Sequence, residues 1–169
     1  MTIVLAVMLA SVTLMPAAFA ASAHFIRASA SLNNDGSLDV DFKIAGLGDS
    51  VNVEVTATAD STATYACVNR GGKNPNASNK QDEAGPLSES GDFESGKNGQ
   101  VTDSLTLGPL DTTLECPGNQ QLVLVRVSYS NVMVSFETET GETDTIAISG
   151  TFSDDCLLTG QLASVCNEV

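Results

Sequence analysis

The chain of 169 residues holds one histidine, four cysteines and twenty-one acidic side chains, so any chemistry it performs is assembled from these. His24 is the first candidate. An amino-terminal histidine chelates copper through its amine and imidazole, and processing after Ala23 would place His24 there. An oxidative copper site needs a further imidazole, which the sequence lacks. A Ser-His-Asp hydrolase would have to use the same His24, without a Gly-x-Ser-x-Gly elbow. The acids fall in two groups of interest. Asp35, Asp39 and Asp41 surround one turn signal, and Glu137, Glu139, Glu142 and Asp144 surround another. Carboxylate oxygens suit calcium. Neither group has the spacing of an EF-hand loop, and Asp39 and Asp41 alternate with apolar residues as a solvated strand face does. Carboxylates could also serve glycoside cleavage. With no Trp and two Tyr, the chain is poor in the rings on which sugars stack.

Cys67, Cys116, Cys156 and Cys166 are an even set, and three pairings are open. We expect Cys67–Cys116 to tie two distant segments and Cys156–Cys166 to close a small loop near the end. Their spacing matches no common zinc pattern. Paired cysteines belong to an oxidising compartment. The first twenty residues point the same way: an apolar, uncharged run ends in Ala18-Phe19-Ala20, a small-x-small cleavage signal. Ala21-Ser22-Ala23 repeats that signal. A membrane anchor is the alternative reading of the run. Removing twenty residues from 169 leaves 149, enough for one domain with a core. No second long apolar run follows, so no membrane association is expected after cleavage.

The net charge of −14 lies wholly in the mature part. It argues against nucleic acid and anionic surfaces, which call for a basic patch. Solubility explains the acidity first; binding of a cation or a basic partner explains it second.

The elements that must position these groups are strands. After residue 24 the apolar period is two. Phe25 to Leu32 reads as a strand, Asn33-Asn34-Asp35-Gly36 as a hairpin turn. Leu38, Val40, Phe42 and Ile44 then alternate with polar residues, the pattern of a strand with one buried face. Val51 to Val55 and Thr62 to Val68 read as two further strands with Asp60-Ser61 between them. Arg70 to Pro86 reads as a loop, rich in Gly, Asn, Lys and Pro, and carries a glycosylation sequon at Asn76. Leu87 to Phe93 reads as a polar edge strand, and Val101 to Leu107 follows. The longest β-type run is Gln121 to Glu137. Its apolar residues are odd-numbered from Val123 through Tyr129 and even-numbered from Val132 through Phe136. Such a change of parity needs an extra residue, placed at Ser130–Asn131. Asp144 to Gly150 closes a hairpin with it, and the tail holds a short helix near Leu157 to Val165.

About eight strands separated by turns predict an antiparallel β-sandwich of immunoglobulin-like architecture, with a closed barrel as second choice. The expected organisation is a signal peptide at 1–20, a sandwich at 21–153 and a disulfide-containing tail at 154–169.

Three stretches carry a resemblance: KIAGLGDSVNVEVTATADSTATYACVNRGGKNPNASNKQ, GDFESGKNGQVTDSLTL, and LECPGNQQLVLVRVSYSNVMV with SGTFS beyond. Over about Ala23 to Ser153 the chain is similar to small secreted β-sandwich proteins of bacteria and filamentous fungi that lack an assigned function. Cys67-Val68-Asn69-Arg70-Gly71-Gly72 and Ser95-Gly96-Lys97-Asn98-Gly99 are its most specific parts. The resemblance implies a secreted sandwich and supplies no catalytic residue. Members often have a further cysteine where this chain has Lys73-Asn74, and commonly end before Asp154. The expectation is therefore a secreted, monomeric or weakly associating, non-catalytic protein without cofactor, binding a partner of unknown identity at the cell exterior. A secreted enzyme, hydrolytic or copper-dependent, is one alternative; a calcium-stabilised structural module is the other. If a binding surface exists, the Gly71–Pro86 loop is where the sequence suggests looking.

Overall fold

A computed structural model describes residues 22–69 and 79–167. The leader and its cleavage signals up to Ala20, and Asn76 with its sequon, lie outside the described residues. The strands are β1 (His24–Leu32), β2 (Leu38–Ala45), β3 (Asn52–Val68), β4 (Lys80–Glu94), β5 (Gln100–Leu107), β6 (Gln121–Thr138), β7 (Thr143–Ile148) and β8 (Phe152–Asp154). A 3-10 helix, Gly160–Asn167, follows. Two antiparallel sheets result. The smaller has the order β1-β2-β5; the larger has the order β4-β3-β6-β7, with β8 pairing the other half of β6. The architecture is a β-sandwich, the first of the two architectures expected, because the strands form two separate sheets.

The core lies between the sheets. Leu38, Val40, Phe42 and Ile44 of β2 are at most 1% exposed, which follows from strict alternation on a half-buried strand. They face Val53, Val55, Ala57 and Ala59 of β3 and Val127, Tyr129, Val132, Val134 and Phe136 of β6. Each large apolar side chain so buried contributes about 1.5–3 kcal/mol. Edge-to-face ring pairs, Phe25–Phe136 and Phe42–Phe93, each have centroids 5.2 Å apart. Phe25 also donates its backbone N–H to Asp144 Oδ2 at 3.0 Å, which ties β1 to β7 across the seam between the sheets.

The parity change in β6 is a bulge. Thr58 pairs with Met133 and Asp60 with Ser130, so Asn131 and Val132 oppose Ala59 alone. Asn131 takes a positive φ of 52°, which asparagine tolerates better than most residues. Its side-chain amide donates to Asp60 Oδ2 at 2.7 Å. A second bulge interrupts the same strand pair, without a signal in the valine pattern. Thr64 pairs with Arg126 and Tyr65 with Leu124, leaving Val125 as the extra residue. The odd-numbered valines therefore do not share one face. Val127 and Tyr129 enter the main core, while Val123 and Val125 join a second cluster with Ala66, Val68 and Val165.

That second cluster explains the tail. Leu158, Leu162 and Val165 cover the outer face of the larger sheet at this end. The bulged Val125 has a carbonyl free of the ladder, and it accepts the Leu157 N–H at 2.9 Å. Arg126 donates to the carbonyl of Cys166 at 3.2 Å. The disulfides are Cys67–Cys116 and Cys156–Cys166, the pairing expected.

Two readings of the strands are corrected. Asp60-Ser61 does not separate two strands: β3 runs unbroken through it, because β4 pairs with it on one side and β6 on the other. Nor does the loop extend from Arg70 to Pro86. β4 begins at Lys80, and Lys80 to Pro86 pair with Ala66 to Asp60. Gly85 and Pro86 do not break β4, because it is an edge strand, where the N–H missing from proline need not serve a ladder.

Candidate functional site

The outer face of the larger sheet is divided. The tail covers one half. Among the described residues nothing covers the other half, and the register there sets side chains in rows across four strands. Cross-strand partners share a face, so the rows follow from the pairing. One row is Asp92 on β4, Glu54 on β3, Glu137 on β6 and Thr143 on β7. The next is Ser90, Thr56, Ser135 and Thr145, and the third is Ser88, Thr58, Met133 and Ala147. Strands supply this face because Val53, Val55, Val134 and Phe136 take the alternate positions and point into the core.

Chemically the rows grade from acidic through hydroxyl to apolar. Three carboxylates stand directly opposite one another, and no Lys or Arg belongs to any of the three rows. Like charges so placed oppose sheet pairing. Beyond the acidic row, Asn52 donates to Glu139 Oε1 at 3.0 Å. In the hydroxyl row Thr56 and Ser90 are 2.7 Å apart. Met133 is 44% exposed, a large apolar side chain in water. A shallow groove lies on each side of it. One is lined by Pro86, Leu87, Thr58 and Asn131; the other by Ala147, Ile148 and Gly150. Two further grooves border the acidic row, and both are lined by Glu54 and Glu137.

The residues singled out from sequence fall elsewhere, Glu137 and Glu139 excepted. His24 is exposed at the start of β1, with its Nδ1 2.8 Å from the Ser22 carbonyl. Asp35 is committed to the β1–β2 turn: Oδ1 accepts the Ser37 hydroxyl at 2.7 Å and the Ser37 N–H at 3.0 Å. The Ser37 hydroxyl bond, then its N–H, holds the Asp35 carboxyl below the usual range. Asp39 accepts the Thr106 hydroxyl at 2.6 Å, which lowers its pKa, with Asn33 assisting. Asp41 is exposed on β2 opposite Ser29 and Ser104. At the other turn, Asp144 is engaged by the N–H groups of Phe25 and Thr145, and Glu142 is exposed beside Gly141. Among the described residues no group of three or more His, Cys, Asp or Glu side chains is disposed to hold a metal ion. The cysteines are all engaged in disulfides.

Sequence reasoning missed Glu54, Asp92 and Met133. The alternation of Glu54 with Val53 and Val55 does mark it as outward-facing. Its meeting with Asp92 and Glu137 depends on register between strands far apart in sequence, which no local pattern encodes. One motif of the resemblance has a structural role. Ser95 Oγ donates to the Gly48 carbonyl at 2.7 Å and accepts the Val51 N–H at 2.9 Å. Gly99, at φ +66°, packs so closely on Gly48 that a Cβ would lie 2.9 Å from its nitrogen. Ser95 to Gly99 thus clasps the β2–β3 connection.

No family model matches the chain, and no curated protein matches it. Among solved structures, the sporulation control protein Spo0M from Bacillus subtilis is similar at a TM-score of 0.30 with 12% identity, over 75% of this chain and 46% of that one. The chain thus spans about half the length of that protein. A likeness of this size bears on neither mechanism nor ligand.

Proposed function

We propose that the protein is a secreted, non-catalytic β-sandwich that binds a partner at the cell exterior through the open half of its larger sheet. The open half itself carries the reading. The tail seals the apolar surface at one end of the sheet, while Met133 and its flanking grooves stay in water at the other. Two disulfides in an all-β chain suit an oxidising compartment. The apolar leader ending at Ala20 and the resemblance to small secreted sandwich proteins support export.

The core supports cleavage after Ala20 rather than Ala23. Ala23 is only 7% exposed and belongs to the main core, so a chain starting at His24 would lack a buried residue. With Ala21 as the mature terminus, His24 keeps a peptide-bonded nitrogen and offers copper no amine. A monomer with no nucleic-acid or membrane partner completes the proposal.

The test has two arms. Amino-terminal sequencing of the exported protein should begin at Ala21; a start at His24 would overturn the assignment of the terminus. Fluorescently labelled protein should adhere to the exterior of its source cells, and Met133→Ser should weaken that adhesion. Equal adhesion by the variant would refute the face, and no adhesion by either would refute the function.

A further inference from the structure

We infer that the partner of this face is a cationic polypeptide segment bearing an apolar side chain, seated in the grooves beside Met133 with its positive charges over the acidic row. The inference rests on the binding-face reading proposed above and names the class of its ligand.

The apolar grooves fix the anchor. Met133 stands on the outer face with exposed Pro86 on one side and Ala147 on the other, while Leu87 and Ile148, which also line the grooves, pack their side chains against the core. A flexible, polarisable thioether adapts to aliphatic or aromatic side chains of several shapes. Charge decides what accompanies the anchor. Asp92, Glu54 and Glu137 oppose one another across three adjacent strands, and no cation of this chain stands in their rows. Neighbouring strands are about 4.8 Å apart, so the three carboxylates present a line of negative charge about 10 Å long. Repulsion within such a line opposes pairing of the very strands that bear it. A docked lysine or arginine relieves that repulsion, whereas an anionic or neutral occupant does not. A second copy of this chain would bring the same acidic row and be repelled.

The spacing sets a further condition. Rows two residues apart along a strand are about 7 Å apart, so the acidic row and Met133 are separated by about 14 Å. An extended segment spans that distance in about four residues. The hydroxyls of Thr56, Ser90, Ser135 and Thr145 lie between and can meet its backbone.

The inference is tested by titrating the isotopically labelled mature protein, monitored by NMR, with a short peptide whose lysines and leucine are separated by that distance. Amide shifts should map to Glu54, Thr56, Met133, Ser135 and Glu137. Added salt should weaken binding, because exposed charges are screened. Glu54→Gln with Glu137→Gln should weaken it about three- to tenfold, given the modest worth of exposed pairs. Met133→Ser should weaken it about tenfold through loss of the apolar anchor. Retained dispersion of the core amides shows that the variants fold. Shifts confined to the tail or the smaller sheet would overturn the inference, as would equal binding of a glutamate-for-lysine control peptide. Concentration-dependent dimerisation through the same face would also overturn it. If the lysine peptide fails while the protein still adheres to cells through Met133, the cationic ligand class falls and the binding face stands. If adhesion fails as well, both fall.

Discussion

Tyr129 is the side chain on which removal of a single atom is most informative. It is fully buried at 0% exposure, and its hydroxyl donates to the Gly36 carbonyl at 2.7 Å. Leu107 offers a second carbonyl at 3.5 Å, on the smaller sheet. The hydroxyl therefore fastens β6 of one sheet to the β1–β2 turn of the other. Tyr129→Phe keeps the ring and deletes the donor. A neutral hydrogen bond is worth about 0.5–1.5 kcal/mol net, and a buried carbonyl left unpaired costs about 1–3 kcal/mol. A loss of about 2 kcal/mol is expected. For a chain of this size that lowers the midpoint of thermal unfolding by about 4–8 °C. Alkaline pH supplies an independent readout. Burial, with Tyr65 and Asp35 adding negative potential, pushes the Tyr129 phenol up to about 12 from its ordinary 10.0. Below pH 10 the phenol is neutral in folded and unfolded chains alike, and its full contribution is present. Between about 10 and 12 only the unfolded chain ionises, so stability falls by about 1.4 kcal/mol per pH unit. Tyr129→Phe lacks that component, so its deficit at neutral pH narrows as pH rises. Circular dichroism during urea unfolding, from neutral to strongly alkaline pH, measures both. A variant as stable as the parent at pH 7, with the same alkaline slope, would refute the inter-sheet bond as a source of stability.

Gly36→Ala should destabilise by about 1–2 kcal/mol, because the turn holds φ at +87° and a Cβ would stand 2.7 Å from Leu124 Cδ2; equal denaturant midpoints would contradict it. The disulfides should differ in worth. Cys67–Cys116 spans 49 residues and Cys156–Cys166 spans 10, so serine pairs should cost about 4 and about 3 kcal/mol, respectively, on loop entropy. The reverse order in denaturant titrations would refute that account. Val165→Ala should speed hydrogen exchange at the Leu162 amide while leaving that of Phe42 protected, since the 3-10 helix of the tail docks on a cluster separate from the main core. Uniform acceleration of both would show the clusters to be one unit. Thermal midpoints with calcium and with chelator should coincide, because Asp35, Asp39 and Asp144 are already engaged by serine, threonine and backbone donors. A rise with calcium would favour the calcium-stabilised module.

What the sequence determined by itself is the class of the fold and the location of its largest core side chains. Alternation at Leu38, Val40, Phe42 and Ile44 needs nothing beyond the period of a strand. The parity change between Tyr129 and Val132 likewise demanded an extra residue, and Asn131 supplies it. Turn chemistry placed the corner at Asn33–Gly36 for the same local reason. Tertiary structure decided what local pattern cannot. Pairing on both edges kept β3 extended through Asp60 and Ser61, where the sequence pattern reads as two separate strands. Its position at the sheet edge let β4 run through Gly85 and Pro86. The second bulge, at Val125, turned Val123 and Val125 outward, because a tail stapled by Cys156–Cys166 was there to cover them. The candidate face belongs to this second group. Asp92, Glu54 and Glu137 are far apart in sequence, and only the register of three strands brings their charges into one row beside Met133.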